Sequence, residues 1–163
     1  MVYNRKAIYE FMKNKLKVQS VILLFGVIYA WTNVFISFRN FYGFEGTIFK
    51  FRDCYLTNPV LTPCFWGAIA FLAAFIWSLR NLKITDEVIL KKSQKYLTYL
   101  LAFGTVFAFS VFGNEVFQLL RSDTGEIQTC LGSIDNPLKS SCLYGAIIYL
   151  TSFVYALKMK NGK

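Results

Sequence analysis

The sequence predicts an all-α, polytopic membrane protein. Four transmembrane helices are arranged as two parallel-repeat helical hairpins, and disulfides clamp the outer loops. Three observations carry that reading. Hydrophobic residues make up 55% and aromatic residues 18% of the 163 positions, against 17% charged, a balance that water-soluble chains of this size do not show. Four apolar stretches, at Val18 to Phe38, Leu61 to Leu79, Tyr96 to Phe117 and Cys142 to Leu157, approach the roughly 20 residues a helix needs to cross about 30 Å of hydrocarbon. Finally, NPVLTPCFWGAIAFLAAFIWSL, from Asn58 to Leu79, is echoed by NPLKSSCLYGAIIYLTSFVYAL, from Asn136 to Leu157.

The leader before the first span sets Tyr3, Ala7, Ile8, Phe11 and Leu16 at near-helical spacing against Arg5, Lys6, Glu10 and Lys13. That pattern fits a short helix lying in the membrane interface, or equally a solvated basic leader. The first apolar run is too long for a cleavable signal, and no small-residue cleavage site follows it, so it is expected to stay as an anchor.

The repeat extends beyond the copied stretch. A constant offset of 78 residues pairs Lys17 with Lys95, Leu23 with Leu101, Phe25-Gly26 with Phe103-Gly104, Ala30 with Ala108, and Cys64 with Cys142. The whole chain, 1–163, therefore reads as a single four-helix domain, with one repeat at about 13–79 and the other at about 91–157. Each copy starts and ends on the same side, so the halves should be related by a pseudo-twofold axis along the membrane normal. Gly26 with Ala30, and Gly104 with Ala108, have the small-residue spacing that lets helices approach closely in lipid. They are expected either to join the first and third helices or to receive each helix's own hairpin partner. Ala70 and Ala74 offer a similar face on the second helix.

The outer loops, about 39–61 and 119–141, are rich in turn formers, and each is expected to cap its own hairpin. In the inner loop Ile84, Val88 and Ile89 oppose Asp86, Glu87, Lys91 and Lys92, the pattern of an interfacial helical turn. Thirteen of the eighteen basic residues lie in the leader, the inner loop and the C-terminal tail. The positive-inside rule then places both termini in the cytoplasm and the outer loops on the opposite face. The net charge of +9 is thereby assigned to topology and to the lipid bilayer as partner, and nucleic acid is excluded.

All four cysteines fall in the outer loops or at their helix starts: Cys54, Cys64, Cys130 and Cys142. Thiols confined to the oxidising side read as disulfides, most simply Cys54 with Cys64 and Cys130 with Cys142. A second reading makes them redox-active. In Thr62-Pro63-Cys64 an N-cap and a first-turn proline precede a cysteine in the first helical turn, and Ser140-Ser141-Cys142 repeats the position. A helix N-terminus favours the thiolate, the nucleophilic form.

In span count, inferred topology, length and cysteine placement the chain resembles the bacterial disulfide-bond-formation membrane proteins and their vitamin K epoxide reductase relatives. That resemblance implies a four-helix bundle passing electrons from thiols to a bound quinone, with Cys64 or Cys142 attacking and Cys54 or Cys130 as partner. The family's Cys-x-x-Cys pair is absent: nine residues separate Cys54 from Cys64 and eleven separate Cys130 from Cys142. No basic residue directly follows Cys64 or Cys142 to hold a quinone oxygen.

The function expected is thus thiol–disulfide exchange at the outer face, with an extracytoplasmic thiol protein as partner. The alternative is a non-catalytic membrane subunit or assembly protein with structural disulfides, bound to other membrane subunits. Glu115, with Asn114 and Gln118, stands near the outer end of the third span, and Asn33 lies in the first. Ionisable and polar groups at such depth are functional candidates, although Glu115 has Arg121 nearby in sequence and Asn33 can bond a neighbouring helix. With no histidine in the chain, serine and cysteine triads and metalloprotease helices are excluded, and the cysteine spacing does not suit a metal. Asp53 and Asp135 lack the motif of a membrane aspartic protease.

Overall fold

A computed structural model describes residues 3–51, 57–121, 127–129, 132–134 and 136–160. Cys54, Cys130, Asp53 and Asp135 lie outside the described residues. Four helices dominate: α1 (Tyr3–Glu45), α2 (Pro63–Lys83), α3 (Glu87–Arg121) and α4 (Ser141–Lys160). Each contains a stretch long and apolar enough to cross a membrane, at Met12–Glu45, Pro63–Lys83, Glu87–Arg121 and Ser141–Met159. The helices expected from hydropathy are all present. A short antiparallel ribbon, β1 (Ile127–Thr129) with β2 (Gly132–Ile134), was not expected from the sequence.

The odd helices are the long ones. At 43 and 35 residues they run about 65 and 52 Å, well beyond a hydrocarbon slab, whereas the even helices match its thickness. The leader is not a separate interfacial helix: α1 runs through Lys13 to Ser20 without interruption, because no glycine, proline or competing cap intervenes. Nor does the inner loop add a helical turn of its own. After Lys83 the chain turns in three residues, and Asp86 caps α3, its Oδ1 accepting from Val88 N at 2.8 Å and Ile89 N at 3.2 Å.

α1 ends at Gly46, whose φ of +68° and N–H donating to Tyr42 O (2.9 Å) form a left-handed C-terminal cap. The following loop is stapled by Asn58, which is almost wholly buried. Its Nδ2 donates to Ile48 O and Lys50 O, and its Oδ1 accepts from Val60 N. A single 3₁₀ turn, Pro59–Leu61, leads into α2 and another, Pro137–Lys139, leads into α4.

Large apolar side chains such as Phe25, Phe35, Phe103 and Val106 point outward, each at least 65% exposed, as lipid-facing positions do. The core lies between the helices: Leu23 of α1, Phe71 and Ala74 of α2, Leu97 and Leu101 of α3, Tyr149 and Ala156 of α4. α1 packs mainly on α2, and α3 on α4. A Cβ on Gly26 would stand 2.6 Å from the Phe71 ring, and one on Gly104 would stand 2.4 Å from the Tyr149 ring. Each glycine thus receives a ring from its own hairpin partner, and the two rings stack at 3.7 Å. Tyr149 Oη donates to Gly67 O (3.1 Å), tying α4 to α2.

At the opposite end a directed chain of hydrogen bonds crosses three helices. Trp77 Nε1 donates to Ser93 Oγ, Ser93 to Asn81 Oδ1, Asn81 Nδ2 to Gln94 Oε1, and Gln94 Nε2 to Gln19 Oε1. Gln19 Nε2 ends the chain, buried with no hydrogen-bond acceptor among the described residues.

Candidate functional site

The candidate site lies where the starts of α2 and α4 meet the C-terminal part of α3. α2 opens on an N-cap and a proline because Thr62 Oγ1 accepts from Phe65 N at 3.4 Å and Pro63 needs no N–H partner in the first turn. This sets Cys64 in the first turn. α4 opens similarly, with Ser140 Oγ accepting from Cys142 N at 3.1 Å. Both helix starts therefore carry a cysteine at the expected place.

The two cysteines then meet. Cys64 Sγ and Cys142 Sγ lie 3.8 Å apart, in contact and unbonded. Cys64 is disulfide-bonded, its partner sulfur lying outside the described residues, whereas Cys142 carries a free thiol. The expected Cys130–Cys142 bridge is therefore not formed. The reason is positional: the packing of α4 against α1 and α3 brings the Cys142 sulfur against Cys64 of α2.

Glu115 departs from the sequence expectation as well. It is buried, with 7% of its surface exposed, and its carboxylate accepts a short hydrogen bond from Ser140 Oγ. Arg121 does not reach it; that guanidinium sits 4.5 Å from the Phe117 ring. Among the described residues no cation pairs with Glu115. The Cys142 side chain lies beside Glu115 and Ser140. Four groups are thus joined: carboxylate, hydroxyl, thiol and a disulfide sulfur. Asn33 does not bridge helices, since its Nδ2 donates to Tyr29 O one turn back.

Beneath the sulfurs lies a narrow apolar cavity of about 60 Å³, bordered by Tyr29, Asn33, Gly67, Phe71, Phe107 and Tyr149. The quinone implied by the family resemblance does not fit it. A cavity that takes even benzene measures about 150 Å³, and this one has no basic residue on its walls. Three of its polar groups are engaged, Tyr29 Oη with Ser141 O, Asn33 Nδ2 with Tyr29 O and Tyr149 Oη with Gly67 O, while Ser141 Oγ is buried with no hydrogen-bond partner among the described residues. Among the described residues no group of three or more Cys, Asp or Glu side chains is placed to hold a metal.

Local sequence reasoning found both cysteines and singled out Glu115. It missed that they converge, although the constant offset of 78 held the signal: residues equivalent in two copies can face each other across the axis between them. Searches of protein-family models, curated proteins and solved structures returned no match to this chain.

Proposed function

We propose that the protein is a membrane thiol–disulfide exchange protein working at its extracytoplasmic face. The observation that carries this reading is the free thiol of Cys142 in contact with the disulfide-bonded sulfur of Cys64. A thiol beside a disulfide is the arrangement from which exchange proceeds, by attack of thiolate sulfur on a disulfide sulfur. A purely structural bridge has no need of a third sulfur in contact with it.

The step balances without an external oxidant. Cys142 loses its proton and its sulfur attacks Cys64 Sγ. A Cys64–Cys142 bond forms while the bond from Cys64 to its former partner breaks, and that partner leaves with the electron pair and takes up a proton. We assign the leaving sulfur to Cys54, the nearer cysteine in sequence, so that the open thiol moves from the buried helix start to the loop. There an extracytoplasmic disulfide protein is attacked by that thiol, and a dithiol protein in turn attacks the protein's own disulfide. Over a full cycle one partner's dithiol is oxidised and another's disulfide is reduced.

Sidedness is supported by the charge distribution, thirteen of the eighteen basic residues lying in sequence before the first span, between the second and third, or after the fourth. A duplicated-hairpin origin is supported by three offsets of 78: Gly26–Phe71 repeats as Gly104–Tyr149, Phe71 stacks on its equivalent Tyr149, and Cys64 touches its equivalent Cys142.

The test is a map of cysteine states by alkylation and mass spectrometry, on protein reconstituted in nanodiscs and incubated with a dithiol–disulfide buffer. Exchange predicts a population carrying the Cys64–Cys142 bond, enriched in the Cys54→Ser variant and absent from Cys142→Ser. If Cys142 stays alkylatable in every molecule while the Cys64 bridge persists, the non-catalytic subunit is the better description.

A further inference from the structure

We infer that Glu115 is the base that takes the Cys142 proton as its sulfur attacks, with Ser140 holding the carboxylate in place. The inference rests on the exchange reading above and goes beyond it by giving the step its proton acceptor. Four observations converge. Glu115 is buried yet has no cationic partner among the described residues, an arrangement that costs stability unless the group serves some purpose. Its carboxylate is oriented by the Ser140 hydroxyl. That same Ser140 oxygen accepts the Cys142 backbone N–H, so one side chain fixes both the base and the nucleophile. The thiol in question is the one in contact with a disulfide sulfur.

The chemistry follows from the charge. When the Cys64 sulfur accepts the attack, the proton passes to Glu115 and the negative charge passes to the sulfur that leaves Cys64, so the net charge of the site as a whole stays at −1 throughout. Separating the charges is avoided, which matters in a site walled by Phe71, Phe107 and Tyr149. The proton on Glu115 then goes to the departing thiolate, directly or through water, and the carboxylate is restored.

The ionisable groups facing Cys142 are Tyr29 of α1 and Glu115 of α3, with Tyr144 of α4 beside the Tyr29 ring, while α2 presents Cys64 as a disulfide. Phenols keep their protons between about pH 6 and 8, so the two tyrosines do not serve as the base.

The experiment measures the rate at which Cys142 reacts with a small neutral disulfide, 4,4′-dithiodipyridine, across that pH range in nanodiscs, with cysteine states read by mass. General-base assistance is worth about 10²-fold or more, so Glu115→Gln should react roughly 10²-fold more slowly at neutral pH. Its rate should climb about tenfold per pH unit, as expected when only free thiolate attacks, whereas the unaltered protein should be nearly flat. Glu115→Asp should keep a shallow profile, and Ser140→Ala should lose several-fold in rate while keeping that profile, because the base is still present. A Glu115→Gln rate equal to or above that of the unaltered protein, with the same pH slope, overturns the inference and marks Glu115 as an electrostatic brake. The proposed function fails separately: if Glu115→Gln slows the probe reaction but no Cys64–Cys142 bond ever forms, the base assignment stands and the internal exchange does not.

Discussion

Replacing Gly104 by alanine tests the packing of α3 on α4, on which the ring stack between the two hairpins depends. The added Cβ would lie 2.4 Å from Cε1, 2.8 Å from Cδ1 and 3.0 Å from Cζ of Tyr149, whereas carbon atoms in contact sit about 3.5–4.0 Å apart. The shortfall is about 1 Å. The ring has little freedom to yield, since it stacks on Phe71 at 3.7 Å and its hydroxyl is tied to Gly67 O. Either α3 and α4 separate or Tyr149 gives up both contacts. Overpacking of this kind costs about 1–3 kcal/mol, and losing the stack and the hydrogen bond would cost about the same. Alanine's better helix propensity returns at most about 1 kcal/mol. The net expectation is a destabilisation of about 1–2 kcal/mol. A Cβ on Gly113 of the same helix would meet nothing within 4 Å, so Gly113→Ala should be neutral or stabilising by up to about 1 kcal/mol. Titrating both variants with sodium dodecyl sulfate in mixed micelles, with helicity read by circular dichroism, measures the difference. A Gly104→Ala protein as stable as Gly113→Ala would refute the close approach of α3 to the Tyr149 ring. Gly26→Ala should behave as Gly104→Ala does, because its Cβ would meet Phe71 at 2.6 Å.

Further outcomes follow from the same geometry. Phe71→Ala removes a buried ring from the apolar core and should cost about 3–5 kcal/mol in the same titration. Asn58→Ala strips three hydrogen bonds from a buried loop staple; a loss of about 2–3 kcal/mol is expected, with faster limited proteolysis between α1 and α2. Asp86→Ala removes the cap of α3 and should cost about 1 kcal/mol, leaving cysteine states unchanged. Asn81→Leu leaves Ser93 and Gln94 each short of a partner, so it should be destabilising by about 1–3 kcal/mol despite its greater hydrophobicity. A stabilised Asn81→Leu protein would show that the polar chain is not closed as described.

The helices were legible because hydropathy and the helical period are local, and so were the caps: Thr62-Pro63 opens α2 as its sequence suggests. Small residues at Gly26 and Gly104 announced close approach, and the structure resolves which neighbour arrives, a ring from the partner in the same hairpin. What stayed hidden depends on how hairpins pack on each other. The disulfide state of Cys64 and the free thiol of Cys142 follow from where α4 turns its first residue, which no spacing within one loop encodes. Glu115 looked solvent-reachable from its position near the end of a span. It is buried because the turn Pro137–Lys139 packs on α3 and Ser140 lies over it, while Arg121 turns to Phe117. The polar chain from Trp77 to Gln19 joins residues up to 75 apart in sequence, and single polar residues among apolar ones carry no hint of their partners.

That chain has a bearing on chemistry it never touches. Apolar helices in hydrocarbon judge axial position poorly, since one methyl contact substitutes readily for another. Donors and acceptors arranged in fixed order do not permit substitution: sliding α2 by a single residue would break the bonds through Asn81 and turn the helix by about 100°. Cys64 sits 17 residues from Asn81 on the same helix, about 25 Å away, and Glu115 stands on the helix that supplies Ser93 and Gln94. The amides at one end therefore set the axial position of the sulfur at the other, and a repair of Gln19 or Gln94 to leucine, however favourable to burial, would leave Cys64 and Cys142 free to miss each other.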